Sequence, residues 1–333
     1  MKRSKAALVI LIIGLVILIL SPVFKWGIGP MLVKVPDTID TTSVYDGTLT
    51  LFVDPTTLTV LPPEMAVVIP LSIERRDLSQ PAKSTGSVAI IKETTNAKGP
   101  AGKEFINTTH YFALDRKTSE NVPGNGSDTN RKGFYPILPI GAKKVTYQLW
   151  DQDTGRTGDT VYTKTVTLQG FKYKNVPCYE YKATGKAEPT VEPPLGLPKT
   201  ITGAQIKALA SGISGLNPAQ LSGLVDTEKY PITYLKQTTA TIVAEPRTGS
   251  IVQVPLDTET YYVDASAMGL PNIKLARVQY SQTLENVAEV LDESAANWGL
   301  LDLAGLWIPL ILLIVGVVLT AIGGIWFARK KPA

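Results

Sequence analysis

The 333 residues carry 33 Lys and Arg against 29 Asp and Glu, a net charge of +4. That balance is too mild for a nucleic-acid binder, which concentrates basic charge on one face. One Cys and one His exclude an internal disulfide and a Cys/His zinc site, and no cofactor motif is present.

Residues 6–24 (AALVILIIGLVILILSPVF) hold no charge and follow Lys2, Arg3 and Lys5. About 20 apolar residues cross a bilayer core as a helix. A cleaved leader would close on small residues at an A-x-A-like site. Ser21-Pro22-Val23-Phe24 offers none, so the stretch is expected to be an uncleaved anchor.

The next stretches change character. Short β-prone runs at 47–53, 66–73, 87–91, 105–114, 145–150, 160–168 and 178–181 predict strands. Further runs lie around Tyr234 and at 241–244, 251–254 and 260–263. Many alternate apolar and polar residues, as a sheet with one wet face does. A turn signature recurs at Asp54-Pro55-Thr56-Thr57, Asp151-Gln152-Asp153-Thr154-Gly155 and Glu245-Pro246-Arg247-Thr248-Gly249. An acid, then usually Pro, then Thr fits a hairpin turn.

Residues 115–132 are polar, and an exposed mobile loop is expected there. Residues 186–200 hold four prolines (Pro189, Pro193, Pro194, Pro198) and read as a semi-rigid connector without regular structure. Helices are predicted over 202–224, with Asn217 as a cap, and over 281–297.

Residues 303–328 form a second uncharged stretch, ending in Arg329-Lys330-Lys331. Trp307 and Trp326 stand near its ends, where aromatic residues meet membrane interfaces. Cationic flanks at both termini place 1–5 and 329–333 in the cytoplasm and 25–302 outside it. Gly316, Thr320 and Gly324 recur every four residues. Such a small-residue face lets membrane helices pack, on the first helix at Gly14 or on a second copy in a homo-oligomer. The fold class expected is a membrane-anchored mainly-β (α+β) ectodomain with antiparallel hairpins, between N- and C-terminal transmembrane helices.

Gly133-Phe134-Tyr135-Pro136, Tyr147-Gln148-Leu149-Trp150-Asp151, Thr154-Gly155-Arg156 and Tyr262-Val263-Asp264 follow one another between the two anchors. This pattern resembles the porin PorA family of actinobacterial and archaeal envelope proteins, over nearly the whole chain. The resemblance implies a cell-envelope protein and brings no catalytic residues. Its name implies a pore, which the residues do not support. A membrane barrel needs many strands with an apolar outer face, and the two apolar spans carry no ionisable side chain to line a channel.

Few residues offer chemistry. His110 and Cys178 are the sole pair for a thiol–imidazole machine, and nothing in the spacing joins them. Gly212-Ile213-Ser214-Gly215-Leu216 fails as a nucleophile elbow, because Leu216 stands where Gly is needed. Asp151, Asp153 and Asp159 surround a Gly turn and could face a hard cation, but Tyr162 stands where a closing Glu belongs. Glu188 and Glu192 could form a carboxylate pair, on a connector unsuited to precise geometry. Asn125 and Asn107 open N-x-S/T triplets, with Asn107 the poorer acceptor if a strand buries it.

The expectation is a non-enzymatic envelope surface protein presenting a β-rich domain for envelope structure, adhesion or ligand capture. It would meet the membrane, lipid or glycan, and no nucleic acid. The alternative is a lipid or glycolipid carrier, which requires an apolar cavity opening toward 281–302.

Overall fold

The computed structural model describes residues 5–29, 33–54, 57–128, 130–211, 218–266 and 269–328. Its helices are α1 (Lys5–Val23), α2 (Gly203–Ala210), α3 (Leu284–Ala296), α4 (Trp298–Asp302) and α5 (Ile308–Ala328). The chain divides into two compact units, residues 1–35 with 295–333 and residues 36–294.

In the first unit α1 and α5 pack antiparallel. Both are long and apolar enough to cross a membrane. A Cβ at Gly14 would stand 2.7 Å from Thr320 Oγ1, one at Gly316 2.7 Å from Leu18 N, and one at Gly323 2.5 Å from Leu11 N. Small residues thus set the backbone approach. Ser21 Oγ donates across the pair to the Pro309 carbonyl at 2.8 Å. Of the predicted face, Gly316 and Thr320 lie on this seam, but Gly324 has open space around it and Gly323 takes its place. The reason is helical phase. Seven residues return a helix to within about 20° of its start, whereas eight overshoot by about 80°. The outward sides, including Val9, Ile12, Val16 and Ile19 of α1 and Ile311, Ile314 and Val317 of α5, are exposed apolar surface.

This seam gives a direct test. Gly316→Ile should abolish oxidative cross-linking between cysteines introduced as Ser21→Cys and Pro309→Cys, in a Cys178→Ser background. Gly324→Ile should leave it intact. Equal cross-linking in both would show that the close approach does not hold the pair.

The second unit is built on an antiparallel half-barrel. Its strands are β1 (Asp40–Leu51), β2 (Val67–Ser79), β3 (Val88–Lys98), β4 (Glu104–Asp115), β5 (Tyr147–Asp151), β6 (Arg156–Leu168), β7 (Val176–Thr184) and β8 (Glu188–Pro189). After the short β9 (Thr200–Thr202) and β10 (Lys229–Pro231) come β11 (Tyr234–Ala244), β12 (Ile251–Val263) and β13 (Ile273–Gln282). The order is β4-β3-β2-β1-β13-β12-β11-β7-β6-β5, with β8 beside β11 and β9-β10 as a separate ribbon. Two meanders therefore meet at one seam, β1 against β13, in the register Tyr45 to Gln282 through Leu51 to Ala276.

Alternation sets the faces. On β2, Leu71, Ile73, Asp77 and Ser79 are buried while Ser72, Glu74 and Arg76 are exposed. Leu49, Leu71, Ile73 and Val278 of the inner face join Ile206 and Leu209 of α2 in one apolar core. Helix α2 starts cleanly because Thr202 and Gln205 form a reciprocal capping box.

The strand series stands as read, with extensions. β12 joins the two runs predicted at 251–254 and 260–263. β13 was not among the predicted runs, although Ile273, Leu275 and Val278 are buried along it. The helix predicted over 202–224 is α2 followed by a single 3-10 turn at Pro218–Leu221; residues 212–217, with the Gly212–Leu216 motif and the Asn217 cap, lie outside the described residues. The proline connector does contribute structure, since Glu188–Pro189 pairs with β11 at Lys236 and Leu235.

Among the described residues the turn signature occurs four times, not three. Asp54, Asp115, Asp151 and Glu245 each begin a loop in which the carboxylate accepts from backbone N–H groups two or three residues on. The fifth residue is left-handed in every copy: Leu58, Ser119, Gly155 and Gly249. Thr occupies the fourth place each time, at Thr57, Thr118, Thr154 and Thr248. The copy at Asp115 escaped the pattern because neither Pro nor Gly marks it.

Candidate functional site

Directly paired residues on neighbouring strands share a face. Following the register across the sheet puts Lys236, Glu259, Tyr261, Asp257, Tyr280, Tyr45, Arg75, Asp77, Glu93 and His110 on the inner face. These make a polar belt beside the apolar core, with a charge cluster on either side of the seam.

The first cluster centres on Lys236 of β11. Its Nζ lies 2.8 Å from Asp153 Oδ2, 2.8 Å from Glu259 Oε1 and 3.3 Å from Asp151 Oδ1. Tyr261 OH donates within the same group, lying 2.8 Å from Glu259 Oε2 and 3.1 Å from Asp153 Oδ2. Tyr280 OH donates to Asp257 at 2.9 Å. The lysine is 5% exposed and Asp153 is 46% exposed, so the cluster opens to solvent at the β5–β6 turn. Burial opposes the charge on Lys236, yet Asp153 and Glu259 hold its pKa well above the ordinary value. The lysine holds Asp153 low. Burial raises Glu259, and burial together with Glu259 pushes the Asp257 carboxyl up to about 7.

The second cluster lies across β2 and β3. Arg75 Nη1 donates to Tyr135 OH at 3.0 Å, and Arg75 Nε lies 3.5 Å from Asp77. Arg131 is 1% exposed, 3.4 Å from Glu93 and 4.5 Å from the Phe112 ring centre. Burial pushes the Asp77 carboxyl up to about 7 against the pull of Arg75, and Glu93 adds to the rise. Tyr45 and Tyr280 join the clusters, meeting edge to face at 5.4 Å across the seam, while Arg75 stands 5.9 Å over Tyr45.

The motif residues meet here. Residues 133–135 lie along β5: Phe134 N donates to the Gln148 carbonyl at 2.8 Å and Trp150 N to the Phe134 carbonyl at 3.0 Å. Gly133 has φ +62°, and a Cβ there would stand 2.3 Å from the Gln148 carbonyl oxygen, so no side chain fits. Tyr135 then enters the arginine cluster while Asp151 enters the lysine cluster. Arg156 pairs with Glu188.

Several expected sites resolve differently. The segment expected to be a loose loop is pinned: Arg116, Ser119, Asn121 and Arg131 are buried. Asn121 Nδ2 donates to the carbonyls of Gly133 and Tyr135. Asp151 and Asp153 serve Lys236 rather than a hard cation, and Asp159 on β6 accepts from Gln148. Among the described residues no acidic, His or Cys group is arranged to hold a metal. Glu188 and Glu192 do not pair with each other; each takes a base, Arg156 and Lys199. His110 Nδ1 lies 3.4 Å from Asp128. Six strands of the sheet separate it from Cys178, whose thiol burial pushes up to about 12, with Glu245 adding to the rise. Asn107 is exposed on the outer face of β4, not buried by its strand, and Asn125 is exposed in the Gly124–Gly126 turn.

A cavity of about 380 Å³ lies on the other face of β1 and β2, beside α3. Asp40, Glu74, Arg76, Glu289 and Glu293 line it, with Thr42 and Asn286. It is acidic rather than apolar.

The sequence model of a protein family described as Porin PorA matches residues 6–325. No curated protein matches the chain.

Proposed function

The chain belongs to the porin PorA family, and from that membership we propose a non-enzymatic cell-envelope protein, held in the membrane by α1 and α5, that presents its half-barrel outside the cytoplasm. Its role there is envelope structure or capture of a polar ligand. The observation that carries the reading is where apolar surface faces outward. On the two helices it is continuous and exposed. On the strands the outward positions are mostly polar, with Ser72, Glu74 and Arg76 on β2, Asn107 and Thr109 on β4 and Thr163 on β6, and the exposed apolar Val68, Val161 and Leu256 stand on separate strands. Lipid suits the first surface and water the second.

The family name suggests a strand-walled pore. Such a wall must close, because open strand edges have no partner in lipid. Here β4 and β5 end the strand order and do not pair with each other. Cations flanking both spans favour cytoplasmic termini. The carrier alternative gains nothing from the cavity beside α3, whose carboxylates would lose hydration against an acyl chain. Glycan at Asn125 and Asn107 fits an exterior placement, and the α1–α5 surface leaves room for a second copy.

The test is topology on intact cells. With Cys178→Ser as background, a membrane-impermeant maleimide should label Asn125→Cys from outside and leave Ala333→Cys unlabelled until the cells are lysed. The reverse pattern, or steady ion conductance by the purified protein in planar bilayers, would overturn the proposal.

A further inference from the structure

On the outer face of the sheet, Arg277 of β13 is directly opposed to Thr50 of β1 on one side and Thr260 of β12 on the other. Past the bulge, Lys274 opposes Tyr262 on the same face. Phe52, just beyond the end of β1, donates its N–H to the Leu275 carbonyl at 2.8 Å. Its ring gathers both cations, with Lys274 Nζ 4.3 Å and the Arg277 guanidinium carbon 5.8 Å from the ring centre. Both cations are half-buried, and Thr50 and Thr260 are buried beside Arg277. Arg277 Nε is buried and has no hydrogen-bond partner. Lys236, Arg116 and Arg131 each meet a carboxylate. Among the described residues no carboxylate pairs with Lys274 or Arg277. Burial and the neighbouring Arg277 instead lower the Lys274 pKa. Two like charges held together with part of their hydration removed are costly until an anion joins them.

We propose that Arg277 and Lys274 hold a phosphoryl group on the outer face of the half-barrel. The charge matches, since a phosphate monoester carries about two negative charges near neutral pH. The chemistry matches as well. A guanidinium offers a planar fork of donors to phosphate oxygens, and an ammonium adds a point charge. Phe52 holds the two cations to one side of the sheet, and the hydroxyls of Thr50 and Thr260 border the arginine. The site deepens the capture of a polar ligand proposed above and rests on that reading for the side of the membrane where the ligand is met. The phosphoryl group can arrive as free phosphate or as the ester of a sugar.

Lysine footprinting tests the site on the full-length protein in non-ionic detergent. Inorganic phosphate at about 20 mM should slow acetylation of Lys274 by about fivefold, as a bound ligand does once it exceeds its dissociation constant. Exposed Lys182 on the same face serves as the reference and should not change. Chloride at equal ionic strength should leave Lys274 unprotected, because screening alone is not binding. Arg277→Gln should remove the protection by phosphate. Glucose 6-phosphate is the second probe. Protection equal to that by inorganic phosphate assigns the site to the phosphoryl group alone, and stronger protection assigns it to a sugar ester. Equal protection by chloride, or undiminished protection in Arg277→Gln, would overturn the proposal. Should that variant fail to fold, the comparison of phosphate with chloride on the wild type decides. The footprint needs no membrane, so it can fail while the labelling at Asn125→Cys succeeds, and the reverse.

Discussion

Lys236→Ala is expected to lower the melting temperature of the half-barrel by about 10 °C at pH 8. Lys236 is 5% exposed and is the shared cation of Asp151, Asp153 and Glu259. Removing one partner of a buried ion cluster leaves charge without compensation, which typically costs about 3–5 kcal/mol. In a domain of this size each kcal/mol shifts the midpoint by about 2–4 °C. The carboxyls can answer by taking up protons, so the loss should be smaller at pH 5 than at pH 8. Calorimetry at both values checks this. An equal loss would mean that the lysine stem, through packing, matters more than its charge.

The wild-type half-barrel should itself be more stable at pH 5 than at pH 8, the reverse of ordinary acid sensitivity. Asp77 and Asp257 have folded pKa values of about 7, raised chiefly by burial. A raised carboxyl binds its proton more tightly in the folded state, so stability falls as pH rises between the unfolded value near 4 and the folded value. Burial raises Glu259 and Glu293 in the same direction. The lowered carboxyls, such as Asp115 and Asp153, act below their ordinary value of 3.8 and leave this window alone. The sum is on the order of a few kcal/mol, or about 10 °C in melting temperature. Asp77→Asn combined with Asp257→Asn should flatten the slope between pH 5 and 8. A double variant with the wild-type slope would place the titrating groups elsewhere.

Much of the frame was legible because it rests on local signals. Apolar length marked both long apolar helices, and alternation with acidic turns marked most strands. The four-residue step that suggested Gly324 failed because a sustained seam follows seven residues, and single-helix periodicity cannot choose between them. The site was hardly legible. Arg75, Glu93 and Glu259 fall just beyond the predicted strand runs and Lys236 lies near Tyr234, and register alone brings them together. The Gly133–Pro136 motif was visible but its purpose was not, since Gly133 earns its place from a carbonyl fifteen residues away, at Gln148. The polar segment 115–132 misled in the other direction. Its Arg116 and Arg131 read as solvated charge, yet both are buried against carbonyl or carboxylate partners.

The β1–β13 seam governs the order in which the sheet can be finished during synthesis. Tyr45 must wait for Gln282, more than two hundred residues later, whereas β1 to β4 can pair as each emerges. A chain halted before residue 273 would leave the seam edge of β1 bare, with Leu49 and Tyr45 beside it. Such an edge invites strand pairing between molecules and proteolysis. Protection of the β1 edge is therefore tied to synthesis of residues 273–282.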